Sequence, residues 1–307
     1  MKIGILGWDH GEVDVDIPTM VELGRELGHE VTLFVLDEIE CVAAERGLTL
    51  TLGGEPAGSF DVLISRAQLR TESWRADVER LSLASNIPGV PILDPVAEFI
   101  SAESKLGMMH QLGHAGLPVP PTCGCRTYEQ VRSAYDRWGS IVLKGAWGFG
   151  GHDVERVLEL PREDELVHGM LARYGELVCQ PYVPSLGGDV RITIVGDEDV
   201  FNVHRVPQGD EWRANVGLGA KAEPYEPTPE LVELARRAAR AMGITIAGVD
   251  LMPTADGFLI IEVNNVPGGL YLLGPEAQRR AMTAMYDLAV RTADRQRAPG
   301  PAPVAPV

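Results

Sequence analysis

Ile246-Ala247-Gly248-Val249-Asp250-Leu251-Met252, then Pro253-Thr254-Ala255-Asp256-Gly257, then Phe258-Leu259-Ile260-Ile261-Glu262-Val263-Asn264, is the stretch that decides how this chain folds. The middle residues are turn-formers, so the apolar flanks are predicted to pair as an antiparallel hairpin. A turn centred on Asp256 sets Asp250 directly opposite Glu262. Asn264 shares their face, because strand side chains repeat every second residue. Two carboxylates opposed on otherwise apolar strands repel, and burying either is costly. A divalent cation relieves both penalties. Three hard oxygen donors with open positions suit Mg²⁺, which completes its shell with water and phosphate oxygens. The competing reading makes all three solvent-facing residues of a half-exposed hairpin.

Upstream, the short strand Ile141-Val142-Leu143-Lys144 runs into Gly145-Ala146-Trp147-Gly148-Phe149-Gly150-Gly151-His152. Four glycines in seven residues give a loop whose backbone N–H groups can approach a polyphosphate closely, with Lys144 as a point charge at its base. No Gly-Lys-Ser/Thr follows, so this is not a Walker A loop, and a flexible turn beside a surface lysine is the simpler alternative. Lysine is scarce (Lys2, Lys105, Lys144 and Lys221), which singles out each one. Leu177-Val178-Cys179-Gln180-Pro181-Tyr182-Val183 is an apolar strand entering a connector. Such a connector can offer backbone groups to a base edge with almost no side-chain signature.

Towards the N-terminus, residues 2–7, Val31–Val35 and Phe60–Ile64 read as strands, with a helix over Pro18–Leu27 between the first two. This rhythm predicts a parallel α/β domain over residues 1–95, ending near Ile92-Leu93-Asp94-Pro95. Gly7 is placed like a nucleotide-binding turn, but no GxGxxG follows. A helix is predicted over Ala102–His114, stopped by Gly116 and Pro118, and others over Tyr128–Trp138 and Leu231–Met242. The Pro/Ala-rich end, residues 297–307, reads as a disordered tail.

The 307 residues carry a formal net charge of −17, which argues against a nucleic-acid groove and requires any polyphosphate site to gather its cations locally. No apolar run approaches bilayer length and no signal peptide is evident, so a cytoplasmic protein without a membrane partner is expected. Cys41, Cys123, Cys125 and Cys179 are scattered, with Cys123-Gly-Cys125 a lone CxC; free thiols in a reducing cytosol are the expectation. His110-Gln111-Leu112-Gly113-His114 has the histidine spacing of a zinc-peptidase helix, but Gln111 stands where the glutamate base is needed, so an ordinary helix face is expected.

Taken in order, these elements resemble the ATP-grasp superfamily, most closely the bacterial glutathione synthetases and ribosomal-protein glutamate ligases. The resemblance covers residues 95–275 and is carried by several motifs. Lys105, in Glu103-Ser104-Lys105-Leu106, is similar to the first ATP lysine. Lys144 with Gly148, Phe149, Gly150 and Gly151 is similar to the second lysine and its phosphate loop. Gln180-Pro181-Tyr182-Val183 is similar to the hinge, where the backbone of Pro181 and Val183 would hold adenine, and Asp189 in Gly188-Asp189-Val190-Arg191 to the ribose-binding acid. The segment Arg205 to Asn215 is similar to the part that lines the acyl site, with Arg213 as the stabiliser of an acyl phosphate. Glu262-Val263-Asn264-Asn265-Val266-Pro267-Gly268-Gly269 is similar to the metal strand and the loop after it.

The resemblance implies an α/β protein with α+β lobes: an ATP-grasp fold over 96–183 and 184–296 behind the N-terminal domain. It implies ATP and two Mg²⁺ ions (or Mn²⁺) as cofactors, and small-molecule carboxylate and amine substrates. Its catalytic residues would be Arg213, Lys144 and Arg205, and its substrate contacts Arg205, Arg213, Asn215, Asn265, Gly268 and Gly269. It suggests a homo-oligomer, and carboxylate–amine ligation through an acyl phosphate. Intramolecular cyclisation and a non-catalytic ATP-binding module are the rivals. Two departures stand out: Pro181 replaces a hinge glutamate, and Val216-Gly217-Leu218-Gly219-Ala220 lacks the basic residues of the glutamate ligases, which argues against an acidic acyl substrate.

Overall fold

The computed structural model describes residues 1–8, 15–44, 47–70, 72–147 and 153–297. The predicted phosphate-loop residues Gly148, Phe149, Gly150 and Gly151, and the tail beyond Arg297, lie outside them. Chain contacts divide the protein into two units, Met1–Val96 with the segment from Gly268 onward, and Ala97–Pro267.

In the first unit, β1 (Lys2–Gly7), α1 (Asp16–Glu26) and β2 (Glu30–Val35) are followed by a small antiparallel sheet of β3 (Ile39–Ala44), β4 (Gly47–Leu52) and β5 (Glu55–Pro56). Then come β6 (Val62–Ser65), α2 (Trp74–Ser85) and β7 (Ile92–Leu93). Strands pair in the order β2-β1-β6-β7, all parallel, as the strand–helix rhythm predicts. The central strands β1 and β6 are almost wholly buried, whereas the edge strand β2 buries only Val31 and Phe34.

The last helix, α8 (Pro275–Arg297), belongs to this first unit, although the lobe boundary 184–296 assigned it to the second. Its docking is specific. The buried Tyr286 hydroxyl donates to the Met20 carbonyl at 2.7 Å. The carboxylate of Asp16, buried at the start of α1, accepts from the Leu270 N–H at 3.1 Å and from Gln278 Nε2 at 2.9 Å. Gly24 makes room for Tyr286, since a Cβ there would collide with the tyrosine hydroxyl and with Val31.

The second unit begins with α3 (Val96–Glu103) and α4 (Lys105–His114). The single helix predicted from Ala102 is in fact two, because Ser104 is extended and its hydroxyl caps α4 by accepting from the Gly107 N–H. Next come β8 (Cys123–Cys125), α5 (Tyr128–Trp138), β9 (Ile141–Gly145), β10 (Val154–Val157), α6 (Asp164–Tyr174) and β11 (Leu177–Pro181). These strands form an antiparallel sheet in the order β10-β9-β11-β8 over an apolar core shared with α5 and α6. A second antiparallel sheet follows, built from β12 (Asp189–Val195), β13 (Glu198–Val206), β14 (Lys221–Pro224), β15 (Ile246–Thr254) and β16 (Gly257–Asn264). Its order is β14-β13-β12-β15-β16, and α4 with α7 (Pro229–Met242) covers one face. Val190, Ile192 and Ile194 of β12 point into that helical core, so Asp189 and Arg191 point the other way.

The His110–His114 pair lies on the exposed face of α4, with Gln111 donating to the Ala241 carbonyl at 2.7 Å, as an ordinary helix face requires. No helix among the described residues is long and apolar enough to cross a membrane.

The packing of Tyr286 over Gly24 sets two effects against each other. Alanine improves helix propensity by about 1 kcal/mol, but overpacking costs about 1–3 kcal/mol and the lost tyrosine hydrogen bond about 1 more. Gly24→Ala should therefore lower the urea unfolding midpoint, and adding Tyr286→Phe should recover part of the loss. A midpoint at or above that of the native chain would contradict this packing.

Candidate active site

The β15–β16 hairpin places Asp250 opposite Glu262 and Gly248 opposite Asn264, as its sequence predicts, but by a different route. Thr254 pairs with Gly257, so the turn is the two residues Ala255-Asp256 and is centred half a residue short of Asp256. A regular ladder from that turn would set Asp250 against Ile261. The register shifts between Asp250 and Leu251, making Ile261 the extra residue of a β-bulge. Ile260 and Val263 both enter the helical core, and Ile261 and Glu262 between them both line a cleft on the other side. The bulge re-aims Glu262.

Along the cleft face, charges follow the strand register. Asp189 of β12 faces Arg205 of β13, Arg191 of β12 faces Asp250 of β15, and Asp250 faces Glu262. Arg191 grips Asp250 with two bonds, Nε to Oδ1 at 2.6 Å and a terminal nitrogen to Oδ2 at 2.8 Å. Arg205 does the same to Asp189 at 2.6 Å each and also reaches Asp250 Oδ2 at 2.8 Å. Asp189, Arg205 and Asp250 are all buried. Burial alone would raise the Asp250 carboxyl; the charges and hydrogen bonds of Arg191 and Arg205 overturn that and hold it down at about 2. A cation is therefore not needed to offset Asp250 alone, because two guanidinium groups already answer it. Each Asp189 oxygen accepts one bond from Arg205 and keeps a second lone pair, and Asp189 lines the cleft. Gly188, just before it, has φ +110°, and a Cβ there would strike the Arg205 carbonyl, so glycine is required.

The residues fit a hard cation. Asn264 Nδ2 lies 3.4 Å from Asp250 Oδ2, 3.4 Å from Glu262 Oε2 and 3.3 Å from the Gly248 carbonyl, so its amide sits where three oxygens converge. Asp250 Oδ1 accepts one bond from Arg191 and keeps a second lone pair. Among the described residues, Glu262 receives a long, weak contact from that amide.

The empty space of the cleft, its open mouth included, is about 1160 Å³. Lys105, at the start of α4, and Lys144, on β9, both line it together with Asp250 and Glu262. Desolvation pulls the Lys144 ammonium down to about 8; Glu262 and Asp250 pull it up and Lys105 pushes it further down. Gln180, Pro181, Tyr182 and Val183 form one edge, with Val142, Met252 and Ile261 as apolar lining. The Tyr182 N–H is taken by the Ser140 carbonyl at 2.8 Å. Gly145 N–H donates to the Asp153 carbonyl at 3.0 Å, closing the base of the glycine loop.

Arg205, Arg213 and Asn215 line the same cleft. Arg213 is paired in two bonds of 2.9 Å with Glu211, holds the Val154 carbonyl at 3.0 Å, and through its hydrogen bonds draws the Glu211 carboxyl down to about 2. Asn265 instead donates to the Phe99 carbonyl at 3.3 Å, and Gly268 and Gly269 belong to the first unit.

Sequence reasoning missed several neighbours. Arg191 could have been found, because it shares strand parity with Asp189. Trp212 lines the cleft and meets Tyr182 edge-on at 5.9 Å, with the Arg156 guanidinium over both rings. Glu103 was passed over as a helix residue. Burial raises its carboxyl to about 7, opposed by Lys105 and the Asn265 amide and reinforced by Glu262. No local pattern announces these contacts.

Removing Arg205 would take both guanidinium bonds from the buried Asp189 and one of two guanidinium partners from Asp250. Arg205→Ala should therefore destabilise the chain by about 3–5 kcal/mol in urea unfolding, with part of the loss recovered by adding Asp189→Asn. A loss below about 1 kcal/mol, the scale of an exposed pair, would contradict the buried network.

Comparison with known proteins agrees with this architecture. The RimK-like ATP-grasp domain matches residues 102–273, more than half of the chain. A probable alpha-L-glutamate ligase of Hahella chejuensis is 29% identical over 273 residues, covering 87% of this chain and 88% of its own. A second, from Xanthomonas euvesicatoria, is 29% identical over 255 residues, covering 81% and 84%. Among solved structures, a RimK domain ATP-grasp protein of Sphaerobacter thermophilus superposes with a TM-score of 0.70 at 21% identity, covering 94% of this chain and all of its own. The macrocyclase MdnC of Microcystis aeruginosa, solved with its precursor peptide, gives 0.69 at 18% over 95% of this chain and 100% of its own. D-cycloserine synthetase gives 0.70 at 18% over 96% and 99%. These structural likenesses carry the fold, and with the domain match they place the chain in the RimK-like ATP-grasp ligase family.

Proposed function

We propose that this chain is an ATP- and Mg²⁺-dependent ligase that activates a substrate carboxylate as an acyl phosphate and joins it to an amine, releasing ADP and phosphate. The observation that carries this reading is the gathering of Lys105 and Lys144 with Asp250, Glu262 and Asn264 at one cleft, in a protein whose net charge is −17. An acidic chain concentrates cations beside oxygen donors where an anion needs both.

Adenine would lie along the hinge. With the Tyr182 N–H spent on Ser140, the donor to the base is the Val183 N–H and the acceptor the Pro181 carbonyl. Replacement of a hinge glutamate by Pro181 is harmless to that arrangement, because it uses backbone groups. Val142, Met252 and Ile261 supply apolar contact. Lys105 and Lys144 neutralise the phosphates. Mg²⁺ held by Asp250, Glu262 and Asn264 would supply further charge neutralisation at the polyphosphate. Arg213 exchanges Glu211 for the anionic carboxyl group under attack, and its fixed guanidinium stabilises the tetrahedral intermediate formed by the amine.

A second reading is ring closure within one substrate. After Asn215 the short 3-10 turn Val216–Leu218 carries no basic residue and Lys221 pairs with Glu223 at 2.6 Å, which argues against an acidic acyl group such as free glutamate. A phosphate-release screen crossing carboxylates, amines and single bifunctional substrates, with product masses recorded, separates ligation from cyclisation. Failure of every combination would favour a non-catalytic ATP-binding module.

Asp250→Asn, Glu262→Gln and Lys144→Ala should each lower ADP formation by about 100-fold or more while circular dichroism stays native. Near-normal turnover in all three would end this assignment. With a lysine near 8 in the free chain, phosphate binding should depend on pH with a definite sign. ADP affinity measured in EDTA should fall as pH rises above about 8, where the free chain loses the ammonium that the complex retains. Lys144→Arg, charged throughout, should flatten that decline; an unchanged slope would assign it elsewhere.

A further inference from the structure

The cysteines expected to be scattered are not. In the sheet β10-β9-β11-β8, Cys123 of β8 stands directly opposite Cys179 of β11. Cys125, two residues from Cys123, shares their face. The Sγ atoms of Cys123 and Cys125 are 3.8 Å apart, and all three sulfurs lie within 4.8 Å of one another. Cys125 and Cys179 are buried in the core shared with α5 and α6, while Cys123 is half-exposed and gives a route in from solvent. The fourth cysteine, Cys41, is exposed in the other unit.

This spacing has a chemical meaning. A metal ion bonded to three sulfurs at about 2.3 Å in trigonal geometry holds them about 4.0 Å apart. Three thiols poised at that separation need little movement to converge on one ion. Thiolates are soft ligands that select Cu(I) and Zn-like ions over Mg²⁺, so such a site would not compete for the oxygen donors of the cleft. We propose that Cys123, Cys125 and Cys179 form a binding site for one thiophilic d¹⁰ metal ion, separate from the nucleotide cleft. Binding a divalent ion releases the thiol protons to solvent and leaves a complex of one net negative charge.

The place in the fold adds a consequence. Cys179 adjoins Gln180, which lines the cleft and whose amide donates at 2.9 Å to Thr122, the neighbour of Cys123. An ion bound by the three sulfurs would tie β8 to β11 at the root of the hinge.

The full chain, kept reduced with a phosphine and held without oxygen, is titrated with Cd²⁺ as the probe. Thiolate-to-metal charge-transfer absorption and equilibrium dialysis are read together. One Cd²⁺ per chain with a charge-transfer band is expected for the native protein and for Cys41→Ser alike. Cys123→Ser, Cys125→Ser and Cys179→Ser should each weaken uptake about 100-fold or more. Circular dichroism checks the two buried variants, and the half-exposed Cys123→Ser keeps the test decisive should either fail to fold. Absence of the band, uptake unchanged in the folded cluster variants, or loss of the band in Cys41→Ser would overturn the proposal. So would mass-spectrometric evidence that two of the three thiols are already joined as a disulfide under these conditions.

Discussion

Asp250 sits buried in the middle of a β-sheet, gripped by Arg191 from one strand and touched by Arg205 from the next. Almost everything about the cleft follows from keeping that charge tolerable. An ionised carboxylate cannot lie in such a place without partners. Its partners must come from adjacent strands in register, which fixes β12 against β15 and β13 against β12 over their cleft-facing residues. Arg205 is shared between Asp189 and Asp250, so the network cannot be dismantled one pair at a time. The fields in the cleft are therefore set before a ligand arrives. Catalysis by positioning and electrostatics depends on such preorganisation.

Around this network the backbone departs from regularity where a side chain has to be aimed. The bulge at Ile261 turns Glu262 to the cleft while Ile260 and Val263 remain in the core. Gly188 takes a left-handed conformation against the Arg205 carbonyl. Ser104 interrupts what would otherwise be one helix and brings Lys105 to the first position of a new one, so its ammonium starts from a capped helix end. Each irregularity lies next to a residue of the cleft, and each has a steric or hydrogen-bonding cause.

Much of this was legible in the residues and some was not. The turn-forming residues 253–257 between two apolar flanks exposed the hairpin and the facing carboxylates. The bulge that makes them face each other was invisible, because one extra residue in a strand of mixed apolar residues leaves no mark in the pattern. Asp189 and Arg205 stood out as candidate site residues, but not as partners of each other, because strand pairing across sixteen residues depends on β13, a strand absent from the sequence reading. Position 286 looked like any tyrosine in a helix; only a glycine on α1 reveals its seat.

The hairpin over residues 246–264 and the parallel N-terminal sheet were determined by local sequence. They rest on periodicity, chain stiffness and turn chemistry, which act between near neighbours along the chain. The neutralisation of Asp250, the return of α8 to the first unit and the meeting of Cys179 with Cys123 and Cys125 were decided by tertiary structure. Coulomb attraction, side-chain packing and sulfur proximity depend on distance in space, and the chain separates these partners by tens to hundreds of residues.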